Sequence, residues 1–398
     1  MFHSKSFRVR FFYILAMFSI PNLFYSGGAE AKLSFDDEVG YLINAFYDAG
    51  IDLDTFEQMR SPYRGKRSYR LAPKDAPWGS YYFPYVDGGI ANRWQTNEGG
   101  SYRTLNRNVS GRSLPPEKVL LKIKALSQSE INSLSAAEKF DIYMGYYDFR
   151  TTEIELKQRG PQGRIEHEGW EGFCNGRNAA SVGVPEPQQA IDVVNDDGIE
   201  VRFEIIDLKA LASASFFYVE LYAQIGNPTR DRAAQLDNPP DAGLFDIALR
   251  SYLAVGHRPF MFDIHEGHEI WNSTIIGYKR KTSRKLPLEE TDWDNIENPE
   301  IAYKIKVDLE LYYHEEISLE DANTVTRDRI ANGWMNLKKN YSYYLYIDEF
   351  KKIRGGQFIG NQGPDFLWFP NGIGADDTLG VNSNLDFESI RSLIESAE

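Results

Sequence analysis

The chain has one cysteine, Cys174, and it lies in the stretch HEGWEGFCNGRNAASVGVPEPQQAI (167–191). A run of small residues, Asn178, Ala179, Ala180 and Ser181, follows it at helical spacing. That pattern predicts a thiol at the first turn of a helix, where backbone N–H groups and the positive end of the helix dipole favour the thiolate. Such a thiol can serve as a nucleophile, with nearby N–H groups holding an oxyanion. The competing reading is an inert cysteine packed under Trp170 and Phe173. A nucleophilic thiol also needs a base and a group to orient that base. The residues that could supply them lie downstream: Asp246 on a predicted helix, then Asp263, His265 and His268 in MFDIHEGHEIWN (261–272). Asp263 and His265 are two apart on a predicted strand end, so they share a face. The set Asp263, His265, Glu266 and His268 lacks the HExxH spacing of a zinc site, and polar residues satisfied at a strand end are the simpler expectation. His167 reads as a loop histidine before the Cys174 helix. His257 and His314 sit in polar contexts and read as surface residues.

The elements that must position these groups belong to a globular chain. Its 398 residues can bury a large core, and 24 Tyr and 24 Phe supply much of it. Residues 1–31 stand apart. They carry a basic start (Lys5, Arg8, Arg10), a short apolar run to Phe24 and an A-x-A site at Ala29–Ala31. This is a predicted secretory signal peptide, and no later apolar run reaches membrane length. Its removal takes three basic residues and one acidic one, so the net charge goes from −14 to −16. Such an acidic chain argues against nucleic acid and anionic membrane surfaces as partners. A single cysteine excludes an internal disulfide, and a lone thiol in an exported protein points to a reactive or intermolecular role.

Along the chain, Ser34–Tyr47 is a predicted helix with Phe35, Val39, Leu42 and Phe46 on one face. The span 61–113 reads as packed irregular loops with short strands. Ser135 and Glu138 form a capping box ahead of a helix that turns Phe140, Tyr143, Met144 and Tyr147 inward. A strand is predicted over 198–207, a buried helix over 208–221, a loop over 230–241, a helix over 243–253 and a buried strand over 259–264. Thereafter 302–313 and 341–350 alternate at period 2, 279–285 (KRKTSRK) reads as a basic loop, and 385–394 as a closing amphipathic helix. The expected organisation is a signal peptide (1–31), a helix-plus-strand core (32–284) and a β-rich part (285–398). The boundary near Arg284 is soft, and the two parts can form one compact unit.

Six segments together resemble the transglutaminase elicitor family. They are PWGSYYFPYVDGGIANRW (77–94), SAAEKFDIYMG (135–145), HEGWEGFCNGRNAASVGVPEP around Cys174, IIDLKALAS (205–213), FMFDIHEGHEIWN (260–272) and GGQFIGNQGPDFLWFPNG (355–372). The resemblance implies an α+β fold with a transglutaminase/papain-like core and a β-rich C-terminal part. It implies a Cys-His-Asp site that joins a glutamine side chain to a primary amine through a thioester, without a cofactor or metal. The partners implied are a protein or peptide glutamine donor and an amine acceptor. Cys174 matches the nucleophile and Asp263 the orienting acid, and Trp271 and Asn272 fall on the motif. Trp170, Asn175, Trp271 and Asn272 are the cleft and oxyanion candidates, with the Trp170 indole as a possible second donor.

The chain departs from the family beside this site. NPPDAGLFDIAL (238–249) puts Asp246 where relatives carry the histidine, and Ser273-Thr274 follow Trp-Asn where relatives usually carry Gln-Pro. A carboxylate of pKa about 4 is a poor base for a thiol near about 8.5, and its charge would oppose the thiolate. Three explanations stand open. A relocated base, His265 or His268, restores Cys-His chemistry; the protein keeps the fold but only binds a protein or peptide; or Asp246 and Cys174 serve altered chemistry. The expected function is an exported acyl transfer or deamidation through a Cys174 thioester. The alternative is a degenerate protein- or peptide-binding module, and under either reading the protein is expected to be secreted or periplasmic.

Overall fold

Period-2 patterning is carried through into the main sheet. In the strand Ile301–His314, Ile301, Tyr303, Ile305, Val307, Leu309 and Leu311 are buried, while Ala302 and Asp308 are exposed. A computed structural model describes residues 35–95, 98–99, 103–160, 163–217, 221–226, 239–264, 268–294, 300–361, 363–370 and 382–398. The predicted signal peptide, the Ser34 cap, most of the 230–241 loop and His265 lie outside these residues.

Among the described residues the main sheet has eight strands: β1 (Ser68–Arg70), β2 (Leu221–Gly226), β3 (Met261–Asp263), β4 (Asn272–Leu286), β5 (Ile301–His314), β6 (Leu337–Asp348), β7 (Ile353–Phe358) and β8 (Phe366–Pro370). Their spatial order is β7-β6-β5-β4-β3-β8-β2, with β1 paired to β4 beyond β3. Every pairing is antiparallel. Strand β8 inserts between β3 and β2, so the last strand in sequence lies beside Asp263.

This sheet separates two cores. Alternate residues of β3 and β8 point to opposite sides: Met261, Phe366 and Trp368 join one cluster, while Phe262, Leu367 and Phe369 join the other. The first cluster also takes residues from the helices Ala136–Tyr143, Cys174–Gly183 and Ile205–Ser215. The second takes them from the helices Phe35–Asp48 and Ala242–Ala248. The Cys174 helix and the Asp246 helix therefore lie on opposite faces of one sheet. Because both faces are covered in the middle, β3, β8 and the first half of β4 are buried along their whole length and lose the alternation seen in β5.

Most predicted elements are present with shifted ends. The first helix runs Phe35–Asp48, and the Ser135 capping box opens Ala136–Tyr143. The predicted 198–207 strand ends at Phe203, because Glu204 and Asp207 form a capping box for the next helix. The helix at 242 changes to a π-helical turn over Leu249–Leu253. The closing helix runs Phe387–Ser396. Two readings are corrected, that of the basic run and that of His314. The basic run 279–285 is not a loop but lies within β4, where exposed Lys279 and Lys281 flank buried Arg280 and pair with Glu310 and Asp308 of β5. His314 is not a surface residue: it is 2% exposed at the inner end of β5. The boundary near Arg284 falls inside β4, and Leu33–Glu398 forms one compact unit.

Candidate active site

The Cys174 helix, Cys174–Gly183, starts without a side-chain cap after Phe173. Its approach is fixed by the preceding loop, where Phe173 N–H donates to Tyr82 O at 2.6 Å and Tyr85 N–H to Glu171 O at 2.9 Å. Its seat against the helix Ile205–Ser215 depends on Gly176. A Cβ there would lie 2.0 Å from Ser213 O, a distance no side chain tolerates. Glycine therefore permits the close crossing that drives the start of the Cys174 helix against β4.

Cys174 is 6% exposed. Its sulfur lies 3.7 Å from Ile270 O and 3.6 Å from Asn272 Nδ2. The thiol S–H can donate to the carbonyl while the sulfur accepts from the amide. The orientation of Asn272 is set on its other side, where Trp368 Nε1–H donates to Asn272 Oδ1 at 2.7 Å. The Asn272 carbonyl accepts from Asn178 Nδ2 at 2.6 Å and from the Arg177 guanidinium at 3.3 Å. Asn178 Oδ1 accepts in turn from Arg177 at 2.8 Å and from Thr274 Oγ1 at 3.0 Å. Thus Thr274, one of the two residues expected from the resemblance to depart from the motif, is built into the support of Asn272. Burial pushes the Cys174 thiol pKa up, and Asp263 adds to the rise. The Asn272 donors and the Arg177 charge pull the other way without cancelling it.

Asp263 closes β3, directly opposite Asn272 on β4, and its Oδ1 accepts from Trp271 N–H at 3.1 Å. It is fully buried and close enough to Cys174 for its charge to be felt there. Asp246 stands elsewhere. It is fully buried on the far face of the sheet, with Arg250 Nε at 2.7 Å, Arg280 Nε at 2.5 Å and the Tyr343 hydroxyl at 2.7 Å. Burial alone would raise its pKa; Arg250 and Arg280 outweigh burial and hold it below the usual carboxylate range. The structure does not bring Asp246 to Cys174, so their joint chemistry has no geometric basis.

The other cleft candidates form a wall around the Cys174 loop. The Trp170 indole N–H donates to Glu168 at 2.9 Å, and the Trp271 indole N–H donates to Glu269 at 3.0 Å, so neither is aimed at the sulfur. Trp271 also packs on Tyr82, with ring centroids 5.9 Å apart. Asn175 Nδ2 donates to Phe217 O at 2.7 Å, which ties the helix start to the end of the neighbouring helix. His268 Nε2 lies 3.3 Å from Glu168, with its ring edge-on to Trp170. His167 is held between Glu171 and Gln158 O, and those acceptors raise its pKa although burial works against them. His257 pairs with the Tyr69 hydroxyl. Among the described residues no histidine hydrogen-bonds Cys174, and no three His, Cys, Asp or Glu side chains gather as a metal site.

The family model for the transglutaminase elicitors matches residues 56–398. The chain belongs to the transglutaminase elicitor family. It is a transglutaminase-like protein, and its fold agrees with that of a solved structure, the GP42 transglutaminase from Phytophthora sojae. The two superpose with a TM-score of 0.61 at 18% identity, over 92% of this chain and 98% of that one. No curated protein matches the chain. The expected α+β fold of this family is therefore present, and no described helix is long and apolar enough to cross a membrane. Sequence reasoning missed three members of the site. Trp368 was visible only as part of a motif, Arg177 only as a charge on a helix of small residues, and Asn178 carried no signal beyond helix patterning.

Proposed function

We propose that this transglutaminase-like protein is an exported acyltransferase acting through Cys174. The observation that carries the reading is the Trp368–Asn272–Cys174 arrangement, in which a fixed amide donor faces a thiol at a helix start. The Cys174 thiolate attacks the carboxamide carbon of a protein or peptide glutamine. The C–N bond breaks, ammonia leaves with the proton taken from the thiol, and a thioester remains. A primary amine, or water in deamidation, then attacks the thioester and releases the thiolate. The Cys174 main-chain N–H and the Asn272 amide are the donors for the oxyanion. His265, two residues beyond Asp263 at the end of β3, is the proposed base, with Asp263 orienting it; His268 is the second candidate.

The test is incorporation of a fluorescent amine into a glutamine-containing protein. Activity is expected in the wild type, lost in Cys174→Ala and in His265→Ala, and retained in His268→Ala and Asp246→Asn at a temperature where both stay folded. A wild type without incorporation or ammonia release at any pH from 6 to 9 overturns the reading. It would leave the second one, a protein- or peptide-binding relative without turnover, which is favoured by the raised thiol pKa and by the absence of a described histidine on the sulfur.

A further inference from the structure

The Cys174 helix carries a second unusual group one turn on. Arg177 is fully buried, yet among the described residues no carboxylate lies within ion-pair distance of it. Its hydrogen bonds go to neutral oxygens only: Ser80 O at 3.5 Å, Asn178 Oδ1 at 2.8 Å and Asn272 O at 3.3 Å. Its Nε is buried with no partner. A guanidinium taken out of water without an anion is costly, and folded proteins ordinarily pair such a charge. Of the two residues it holds, Asn272 donates its side-chain amide to the sulfur and Asn178 donates to the Asn272 carbonyl.

We infer that Arg177 is the counter-cation of the Cys174 thiolate: the anion that completes its pairing forms only when the thiol loses its proton. This rests on the reading of Cys174 as the acyl nucleophile and assigns Arg177 as a positioning residue for that step. The charged groups around it fit the assignment. Burial lowers the guanidinium pKa; against it work Glu316, which lies beyond the end of β5 and outside ion-pair distance, then Cys174, then Glu315. From β3, Asp263 opposes the thiolate, and burial together with the Cys174 charge raises the phenol pKa of Tyr82 and of Tyr85. His314, at the end of β5, is kept neutral by burial and by the Arg177 charge. Arg177 is thus the cation whose charge lowers the Cys174 pKa among these described groups. A buried thiol with a buried cation at hand is deprotonated more readily than burial alone permits.

The experiment is the pH dependence of Cys174 alkylation by iodoacetamide on the purified chain. The variants are Arg177→Gln, which keeps donors to Asn178 and Asn272 but not the charge, and Arg177→Lys, which keeps the charge. Each is accepted only with a cooperative thermal transition. The expected result is an alkylation pKa about one unit higher in Arg177→Gln, so about tenfold slower reaction at neutral pH, with Arg177→Lys within about 0.3 unit of wild type. A folded Arg177→Gln with an unmoved profile, or a Lys variant that behaves like Gln, overturns the assignment. Should Arg177→Gln not fold, the wild-type rate ratio of iodoacetate to iodoacetamide decides. A cation behind the sulfur raises that ratio to or above the free-thiol value, and a lower ratio overturns the assignment. Alkylation needs no turnover, so the two readings fail separately. Amine incorporation with an unmoved profile sinks only the counter-cation, and a moved profile without incorporation sinks only the acyltransferase.

Discussion

Asn272 can satisfy its neighbours in one orientation. The Trp368 indole can only donate, so the amide oxygen must face it at 2.7 Å and the amide nitrogen is left for the Cys174 sulfur at 3.6 Å. Trp368→Phe removes that constraint and leaves a buried amide oxygen unpaired, at a cost of about 1–3 kcal/mol. The expected outcome is a lower thermal midpoint together with about tenfold slower alkylation of Cys174 at neutral pH, whereas Trp94→Phe, remote from the sulfur, leaves alkylation unchanged. His314 gives a prediction in pH. Burial and the Arg177 charge lower its pKa from an ordinary 6.5 to about 3, so the unfolded chain binds a proton between these values and the folded chain does not. Its neutral form thus contributes stability that is complete above pH about 6.5 and is lost progressively as pH falls toward 3. Urea midpoints measured at pH 5 and pH 7 are expected to differ strongly in the wild type and much less in His314→Leu. An equal difference in both would show that another group carries the acid sensitivity.

At the scale of elements, the Cys174 helix is positioned by a backbone approach and the Asp246 helix by charge. With the Gly176 Cβ position 2.0 Å from Ser213 O, Gly176→Ala must push the two helices apart. A loss of about 3 kcal/mol is expected, in line with overpacking of a tight core. The sulfur should also leave the Asn272 amide, seen as a changed alkylation rate in the protein that remains folded. Asp246 anchors its helix to β4 through Arg280 and to β6 through Tyr343. Asp246→Ala leaves two buried guanidinium groups without their anion, an expected loss of about 3–5 kcal/mol. Its depressed pKa makes that contribution full above pH about 4 and lost as pH falls through the folded value. Because Asp246 and Cys174 occupy opposite faces of the sheet, Asp246→His is expected to lower the thermal midpoint and to add no amine incorporation. A gain of activity in that variant would refute this placement of the helix.

For the whole molecule, the continuous sheet decides what can be cut. Strand β4 pairs with β5 along one edge and with β3 and β1 along the other, so a break near Arg284 would split its own strand from its partner. Fragment 32–284 loses β5 to β8, including Trp368 and the cover of both cores. It is expected to show no cooperative unfolding and rapid proteolysis, while 32–398 unfolds in one transition. Two separate transitions in the longer chain would count against a shared core.

Local pattern in the sequence determined much of this protein: a cysteine at a helix start, the Ser135 capping box, the alternation of β5, and the family likeness those motifs carry. These are properties of residues a few positions apart, where helix and strand periods decide who shares a face. The tertiary structure decided the rest, because it turns on partners far away in the chain. The sulfur meets an amide 98 residues on, and that amide meets an indole 96 residues beyond it. Asp246, expected from the motif likeness at a catalytic position, is claimed by a phenol 97 residues away, on the far face of the sheet from Cys174. His314 reads as a surface residue in sequence and is buried because both faces of the central strands are covered. Which face a charge occupies, and whether water reaches it, are set by strand order, and strand order is not written in any local window.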